Sequence, residues 1–246
     1  MNKKNLNKKI IIITGANGVL GKCLAKSLKN LSKKLILIDK DYRNQNSFGD
    51  YYKCNFELNS EISSLIKSLK KKYTRVDAII NNAAMVGDNI KKKKFSLEEW
   101  QKCLSINLTS VYQLSTGIES CLIKSTDPSI VNISSIFSML GPDQDVYRGT
   151  SIFNPASYSA SKGGLNSLTR WLAGSLNKKI RVNSISLGGV LRKQSKTFIK
   201  NYSKKTIMKR MAKNHDLVGP VIFFISKDSS YITGQNLLVD GGYSII

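Results

Sequence analysis

Tyr158 and Lys162 stand four residues apart in the stretch Tyr158-Ser159-Ala160-Ser161-Lys162. On a helix that spacing puts both side chains on one face. A free phenol titrates near ~10 and is a poor proton shuttle at neutral pH. A neighbouring ammonium favours the phenolate and draws that value toward the pH at which general acid–base catalysis works. The pair reads as a tuned proton donor and acceptor; the competing reading is an ordinary surface Tyr and Lys. Other polar residues precede it. Ser135 follows one apolar run, and Asn81-Asn82-Ala83-Ala84 follows another. Asn107 interrupts an apolar helical stretch, where Asn is a poor helix former. Each has a plain reading, as a turn serine, a loop asparagine or a satisfied buried amide. Their occurrence together, in this order, is hard to obtain by accident.

A second group lies near the N-terminus, in Thr14-Gly15-Ala16-Asn17-Gly18-Val19-Leu20-Gly21. Its place between a strand and a helix is what a dinucleotide-binding turn requires; a plain structural turn is the competing reading of the glycines. Gly15 permits the tight turn, Gly18 lets the backbone approach a phosphate, and Gly21 allows close packing of helix on sheet. A pyrophosphate would rest on the free N–H groups at the helix start, where the dipole is positive. Asp39 comes 24 residues after Gly15, near the roughly 20-residue offset of a carboxylate that holds the adenosine ribose. The alternative is a capping aspartate. A carboxylate there repels a 2′-phosphate and favours NAD over NADP, with Lys40 and Arg43 acting against that preference. Asn55 is a candidate for the adenine amino group, or a plain turn residue.

These residues need an edge to converge on. Short apolar runs alternate with amphipathic stretches, the pattern of a parallel sheet covered on both faces. Strands are expected at 8–14, 34–39, 51–55, 76–81, 129–134, 180–186 and 236–239. Helices are expected from the glycine turn to about residue 30, then at 60–72, 97–124, 157–176 and about 215–226. The segment 192–213 reads as polar, basic and mobile, and the connection from Asp39 to Tyr51 leaves room only for a stunted crossover. The expectation is one α/β domain over 1–246, doubly wound and Rossmann-like, with a seven-stranded parallel sheet and ligands at the carboxyl ends of the strands.

Composition narrows the function. The 246 residues are 41% hydrophobic, too apolar for a disordered chain. The longest aliphatic run, Ile10 to Ile13, is far short of the roughly 18 residues of a spanning helix and of a signal-peptide core. A cytoplasmic location is expected, with no membrane partner. Cys23, Cys54, Cys103 and Cys121 are widely spaced, which suits reduced thiols and gives no metal-ligand pattern. Lys and Arg number 39 against 16 acids, a net charge of +23. Nucleic acid is one partner such a charge fits. Only 7 of the 39 are Arg, however, and Arg is the residue of base-edge and bidentate phosphate readout. The lysines are spread through every segment, so genome composition is the preferred explanation, and nucleic acid is not the expected partner. The field attracts anionic small molecules in either case.

The chain resembles the short-chain dehydrogenases/reductases nearly end to end. The resemblance is carried by TGANGVLG at 14–21, Asp39, NNAA at 81–84, Asn107, NISS at 132–135, YSASK at 158–162, RVNSIS at 181–186 and YITGQNLLVDGG at 231–242. It implies a catalytic tetrad. Tyr158 exchanges a proton with the substrate oxygen and Ser135 hydrogen-bonds that oxygen. Lys162 lowers the phenol pKa and binds the nicotinamide ribose, while Asn107 maintains a helix distortion and a water linked to Lys162. Ser134 or Ser135 could fill the serine role; Ser135 is chosen for its distance past Ile133. The resemblance also implies cofactor contacts from Gly15, Asn17, Gly18, Val19, Leu20, Gly21, Asp39, Asn55, Phe56, Asn82, Ala83, Ala84, Tyr158, Lys162, Leu187, Gly188 and Val190. The cofactor is NAD, with NADP the alternative, and no metal is implied. A homodimer or homotetramer is implied, pairing helices near 100–124 and 158–176.

Some positions depart from the family pattern. The glycines run Gly-x-x-Gly-x-x-Gly, NNAA replaces NNAG, and Leu187 stands where Pro is usual. Tyr158 lies 23 residues past Ser135, further than the family's usual spacing. The extra loop, Met139 to Pro155, begins beside the serine and is expected to shape the substrate pocket. Segment 192–213 takes the place of the family's substrate lid and holds nine Lys/Arg and no acid; it reads either as a solvated lysine-rich helix or as a lid that closes over an anionic substrate by charge attraction. The loop reading GPDQDVYRGTSIFNPASYSASKGG, together with KRMA at 209–212, resembles oxidoreductases of bacterial surface-glycan, flagellin-glycosylation and nonulosonate pathways, and implies a polar, phosphorylated or nucleotide-linked sugar substrate. A 3-oxoacyl-(acyl carrier protein) reductase is the alternative enzyme. A cofactor sensor or nucleic-acid-binding protein on the same fold is the non-catalytic one.

Overall fold

The computed structural model describes residues 6–41, 48–86 and 96–246. Its central strand, β1 (Ile10–Thr14), shows why the sheet is covered twice. Ile11 and Ile13 pack into one core layer, and Ile12, between them, packs into the other. An alternating pleat with both faces buried selects an uninterrupted aliphatic run. The same logic forms β2 (Lys34–Asp39), β4 (Ala78–Asn81), β5 (Ser129–Ser135) and β6 (Arg181–Leu187). The edges are β3 (Asp50–Lys53) and β7 (Asn236–Val239), which are less buried. All pairs are parallel, in the order β3-β2-β1-β4-β5-β6-β7. The chain leaves β1 toward β2 and β3, then returns to its other side at β4, which opens a crevice beyond the carboxyl ends of β1 and β4.

Helix α1 (Val19–Leu28) and α9 (Val218–Ile225) cover one face, with Leu24, Leu28, Val221 and Phe224 in that layer. Helices α2 (Asn59–Lys72), α4 (Ser110–Gly117) and α7 (Ala156–Ser175) cover the other through Ile62, Leu65, Leu69, Leu114 and Leu172.

Two stretches differ from the sequence expectation. The helix expected over 97–124 is three pieces: α3 (Leu97–Leu104), α4 and a short α5 (Glu119–Leu122). A π-helical turn at Ser105–Thr109 joins α3 to α4, and apolar periodicity does not register such a turn. Segment 192–213, expected as mobile, contains α8 (Lys196–Lys204). Ser195 caps α8 by accepting from Phe198 N, and Phe198 and Tyr202 are buried. The helix forms because those two residues share one face. The α6 turn (Gln144–Tyr147) lies in the extra loop. Arg43 and the stunted crossover fall at 42–47, outside the described residues.

Among the described residues no helix is long and apolar enough to cross a membrane, and no group of three or more His, Cys, Asp or Glu could hold a metal. All four cysteines are free.

The amino ends of the strands are held by a buried ionic cluster. Asp127 takes Lys9 Nζ at 2.9 Å and Arg181 Nη2 at 3.1 Å. Arg181 also donates to the carbonyls of Phe224, Ser226 and Ser229. Burial works against the Asp127 carboxylate, but the two cations outweigh it and hold its pKa below the usual range. Asp127→Ala leaves two nearly buried cations without their anion, so a loss of about 3–5 kcal/mol is expected in denaturant unfolding. A loss below about 1 kcal/mol, the level of an exposed pair, would contradict the clamp.

Candidate active site

The π-helical turn brings Asn107 inward with no exposed surface. Its Oδ1 accepts from Met85 N at 2.8 Å, and its Nδ2 donates to Met85 O at 2.8 Å. The same Nδ2 donates to Ser161 Oγ at 2.9 Å, and Ser161 donates to the Tyr158 carbonyl at 2.7 Å. A π-turn supplies the extra residue that lets the amide point at α7.

Tyr158, Ser161 and Lys162 lie on the first turns of α7, which starts after Pro155. Proline ahead of the helix sets the backbone for entry. Lys162 is 2% exposed. Its Nζ donates to the Ile133 carbonyl at 2.8 Å and sits 5.7 Å from the centre of the Tyr158 ring. Ser135 ends β5; its Oγ accepts from Phe137 N at 3.3 Å and faces the Tyr158 phenol, where it favours the phenolate. Ser134 points elsewhere and donates to the Lys162 carbonyl at 3.4 Å. Adjacent strand residues face opposite sides, so only one of the two serines can meet the phenol. Asn107, Ser135, Tyr158 and Lys162 thus form one connected cluster.

Its electrostatics differ from the sequence expectation that Lys162 lowers the phenol pKa. Burial pushes the Tyr158 phenol above its ordinary value, against the Ser135 hydrogen bond and the field of Arg192. Burial also pulls the Lys162 ammonium down to about 8. Desolvation penalises any charged form, and it is the largest influence on both groups. The protein's own groups therefore hold Tyr158 protonated and Lys162 close to half-protonated in mildly alkaline solution.

The glycine turn occupies the carboxyl edge of β1. Gly15 has φ +64°, and a Cβ there would meet the Ala83 backbone at 2.7 Å. A Cβ on Gly21 would meet the Gly15 carbonyl at 2.1 Å, so neither position tolerates a side chain. Asp39 ends β2, and its Oδ2 accepts from Asn17 N at 2.8 Å. Asn82 donates through Nδ2 to the Thr14 and Gly15 carbonyls, and the N–H groups of Asn82 and Ala83 both donate to Thr14 Oγ1. Asn17 Nδ2 donates to the Asp41 carbonyl, while its Oδ1 is buried without a partner among the described residues. No side chain caps the amino end of α1, where Gly18 is the N-cap. Orphan N–H groups at a helix start and an unpartnered amide oxygen fit the pyrophosphate half of a dinucleotide.

The remaining candidates vary. Val19 is exposed and Leu20 packs against the core. Ala84 is exposed. Asn55 Oδ1 accepts from Glu57 N at 3.1 Å, the local turn that was its alternative reading, and Phe56 is buried under α2. Leu187 is buried at the end of β6, Gly188 N donates to the Val239 carbonyl, and Val190 bridges to Ala212.

Helix α8 and the extra loop pack on each other beside this site. Tyr147 meets Phe198 with ring centres 5.7 Å apart, and Tyr202 stacks on Tyr243 at 4.9 Å. Asn201 Nδ2 donates to the Arg148 carbonyl at 3.1 Å, and Lys205 pairs with Asp143 at 2.9 Å. The Tyr202 hydroxyl accepts from Gly189 N. A Cβ on Gly189 would strike the Tyr202 ring at 2.7 Å, which explains a glycine there. Sequence reasoning singled out neither Thr14, Ser161 nor Tyr202 as functional. Ser161 lay inside the quoted motif, but nothing in the sequence placed Asn107 against it. Tyr202 had only its helical spacing from Phe198.

Known proteins match this chain along most of its length. A family model described as enoyl-(acyl carrier protein) reductase matches residues 17–244. Post-translational flagellin modification protein A of Campylobacter coli is 31% identical, covering 98% of this chain and all of that protein. The 3-oxoacyl-(acyl-carrier-protein) reductase FabG of Buchnera aphidicola subsp. Schizaphis graminum is 33% identical over 96% of this chain and 98% of its own length. The crystal structure of a short-chain dehydrogenase from Leptospira borgpetersenii, with bound NAD+, superposes with a TM-score of 0.88 at 30% identity, covering 99% of this chain and 95% of that one. With its parallel sheet, its glycine turn and its clustered Tyr and Lys, the chain belongs to the short-chain dehydrogenase/reductase family of oxidoreductases.

Proposed function

We propose that the chain is an NAD-dependent oxidoreductase, with NADP the second choice, acting on a hydroxyl or carbonyl of a polar, anionic, sugar-derived substrate. The observation that carries the chemistry is the buried Lys162, its Nζ 5.7 Å from the centre of the Tyr158 ring, with Ser135 facing the phenol. Tyr158, held protonated by burial, gives its proton to the substrate oxygen in reduction and takes it back in oxidation. Ser135 donates a hydrogen bond to the same oxygen and fixes it within reach of the phenol. Lys162 meets the phenolate's charge as it develops and takes a ribose hydroxyl. Bound nicotinamide supplies or accepts the hydride at the substrate carbon. Gly15, Asn17, Gly18, Val19, Leu20 and Gly21 would hold the pyrophosphate. Asp39 would hold the adenosine ribose, and Asn55 and Phe56 would flank the adenine. Asn82, Ala83, Ala84, Leu187, Gly188 and Val190 would line the nicotinamide side.

The substrate class rests on the charge and polarity around the mouth. Lys196, Lys200 and Lys204 form one exposed stripe of α8. Arg192 reaches the Tyr158 phenol with its field. The likeness to a flagellin modification protein supports a place in surface-glycan chemistry. The likeness to FabG supports the second reading, a 3-oxoacyl thioester substrate. The enzyme acts as one domain in the cytoplasm. It assembles as a homodimer or homotetramer through α4 and α7, where Tyr112 and Trp171 are 44% and 52% exposed beside Leu108 and Leu168.

Tyr158→Phe should fold and bind cofactor yet lose turnover by on the order of 10²-fold or more, the usual contribution of a proton-transfer group; near-normal turnover would reject the role. Asp39→Ala should weaken NAD by about tenfold and narrow its advantage over NADP, as titration of both cofactors would show. Unchanged affinities would remove Asp39 from the site. A reduction and oxidation screen over free, phosphorylated and nucleotide-linked sugars and 3-oxoacyl thioesters decides the substrate. Changing Lys196, Lys200 and Lys204 together to Gln should raise KM for an anionic substrate more than for its neutral counterpart. Equal effects on both would assign the lysines to composition alone.

A further inference from the structure

Ser161 is fully buried between the π-helical turn and the first turn of α7. The polarity of its two shorter bonds follows from the backbone. Met85 N can only donate, so the Asn107 atom 2.8 Å from it is the amide oxygen. The NH2 group therefore faces the Met85 carbonyl and Ser161 Oγ, and Cys103 Sγ lies 3.3 Å away as a weaker third neighbour. Because Ser161 Oγ accepts from Asn107, its own hydrogen is free to donate, and the Tyr158 carbonyl stands 2.7 Å away to receive it. The result is a chain of fixed direction from the loop after β4, through Asn107 and Ser161, to the backbone of Tyr158.

We propose that Ser161 is a positioning residue that ties the Tyr158 backbone to the π-helical turn and so sets where the phenol stands against Ser135. This rests on Tyr158 being the proton carrier. The helix gives Lys162 its own place through the Ile133 carbonyl. Tyr158 has no comparable anchor for its backbone beyond the helix ladder, and a hydroxyl bonded to the carbonyl three residues back bends the ladder locally. The bond thus links a distortion on one helix to the direction of a side chain on another. A shift of the phenol by a fraction of its hydrogen-bond length would weaken the Ser135 contact and slow proton transfer without touching the cofactor turn.

Ser161→Thr and Ser161→Val decide the matter, since they share one shape and differ in the hydroxyl. Both carry the same added methyl, so packing strain is common to them. Tyr158→Phe serves to assign the Tyr158 ring resonance in carbon-labelled protein and to test the parent reading. In Ser161→Val the resonance should move, and kcat on the substrate identified by the screen should fall about tenfold with KM for NADH little changed, the loss expected when one ordinary hydrogen bond acts on the transition state. In Ser161→Thr both should return toward the wild type. Identical resonances and identical kcat in the two variants overturn the positioning role. If neither variant folds, Ser161→Ala replaces Ser161→Val and is compared with the wild type, with the same expectations. Full turnover in Tyr158→Phe would instead refute the proton-carrier reading, whatever Ser161 does.

Discussion

A lysine ammonium with almost no access to water is the feature around which the site is arranged. Lys162 keeps one bond, to the Ile133 carbonyl, and one aromatic neighbour, Tyr158. Among the described residues these contacts and the field of Cys103 do not offset the cost of burying it, and its pKa falls to about 8 as a result. The folded state therefore releases that proton before the unfolded chain does. The cost is fully present below about 8 and fades as the pH rises toward the ordinary 10.5. A fold that retains such a group against its own stability is one in which the charge has work to do, and proton chemistry beside it is the simplest such work.

The other parts follow from where that lysine must stand. The Ile133 carbonyl is available because β5 runs almost to the sheet's edge, pairing with β6 as far as Ser135 and Leu187. The strand's alternation then turns Ser135 toward the phenol and Ser134 away from it. At the end of β1, Thr14 collects the N–H groups of Asn82 and Ala83, which locks the loop after β4 onto the glycine turn. Proton chemistry and nucleotide turn are thereby fixed to one rigid edge, as a reaction between two bound partners requires. The clamp at Asp127 holds the opposite ends of β1, β5 and β6, so strain at the working edge is carried by a frame that is tied at its base.

Much of this was legible in the residues. The seven strands, their order of appearance and the two faces of the core follow from aliphatic runs such as Ile10–Ile13. Gly15 and Gly21 are required by contacts that any tight strand-to-helix turn would make. The rest was not legible for identifiable reasons. A π-helical turn inserts one residue into a ladder without altering composition, so periodicity read 105–109 as helix, and only Asn107 marked where the resemblance implied a distortion. The segment 192–213 looked mobile because its lysines mask two aromatic residues, Phe198 and Tyr202, whose partners Tyr147 and Tyr243 are far away in sequence. The direction of the Tyr158 shift depends on desolvation against pairing, and burial of that kind is set by the tertiary structure. Asn55 shows the reverse case, in which the plain local turn was among the readings and is what its side chain makes.

Helix α8 and the extra loop are one packed unit, and the Tyr202 hydroxyl joins that unit to the turn after β6. The chemistry itself stands or falls on the state of Lys162. Nitrogen-labelled lysine followed by NMR, with the Lys162 signal assigned by its loss in Lys162→Met, measures that state directly. A titration of the Lys162 Nζ near 8 agrees with a buried ammonium tuned for work beside the phenol. A titration at the ordinary 10.5 would mean that water reaches the group, and would contradict the account.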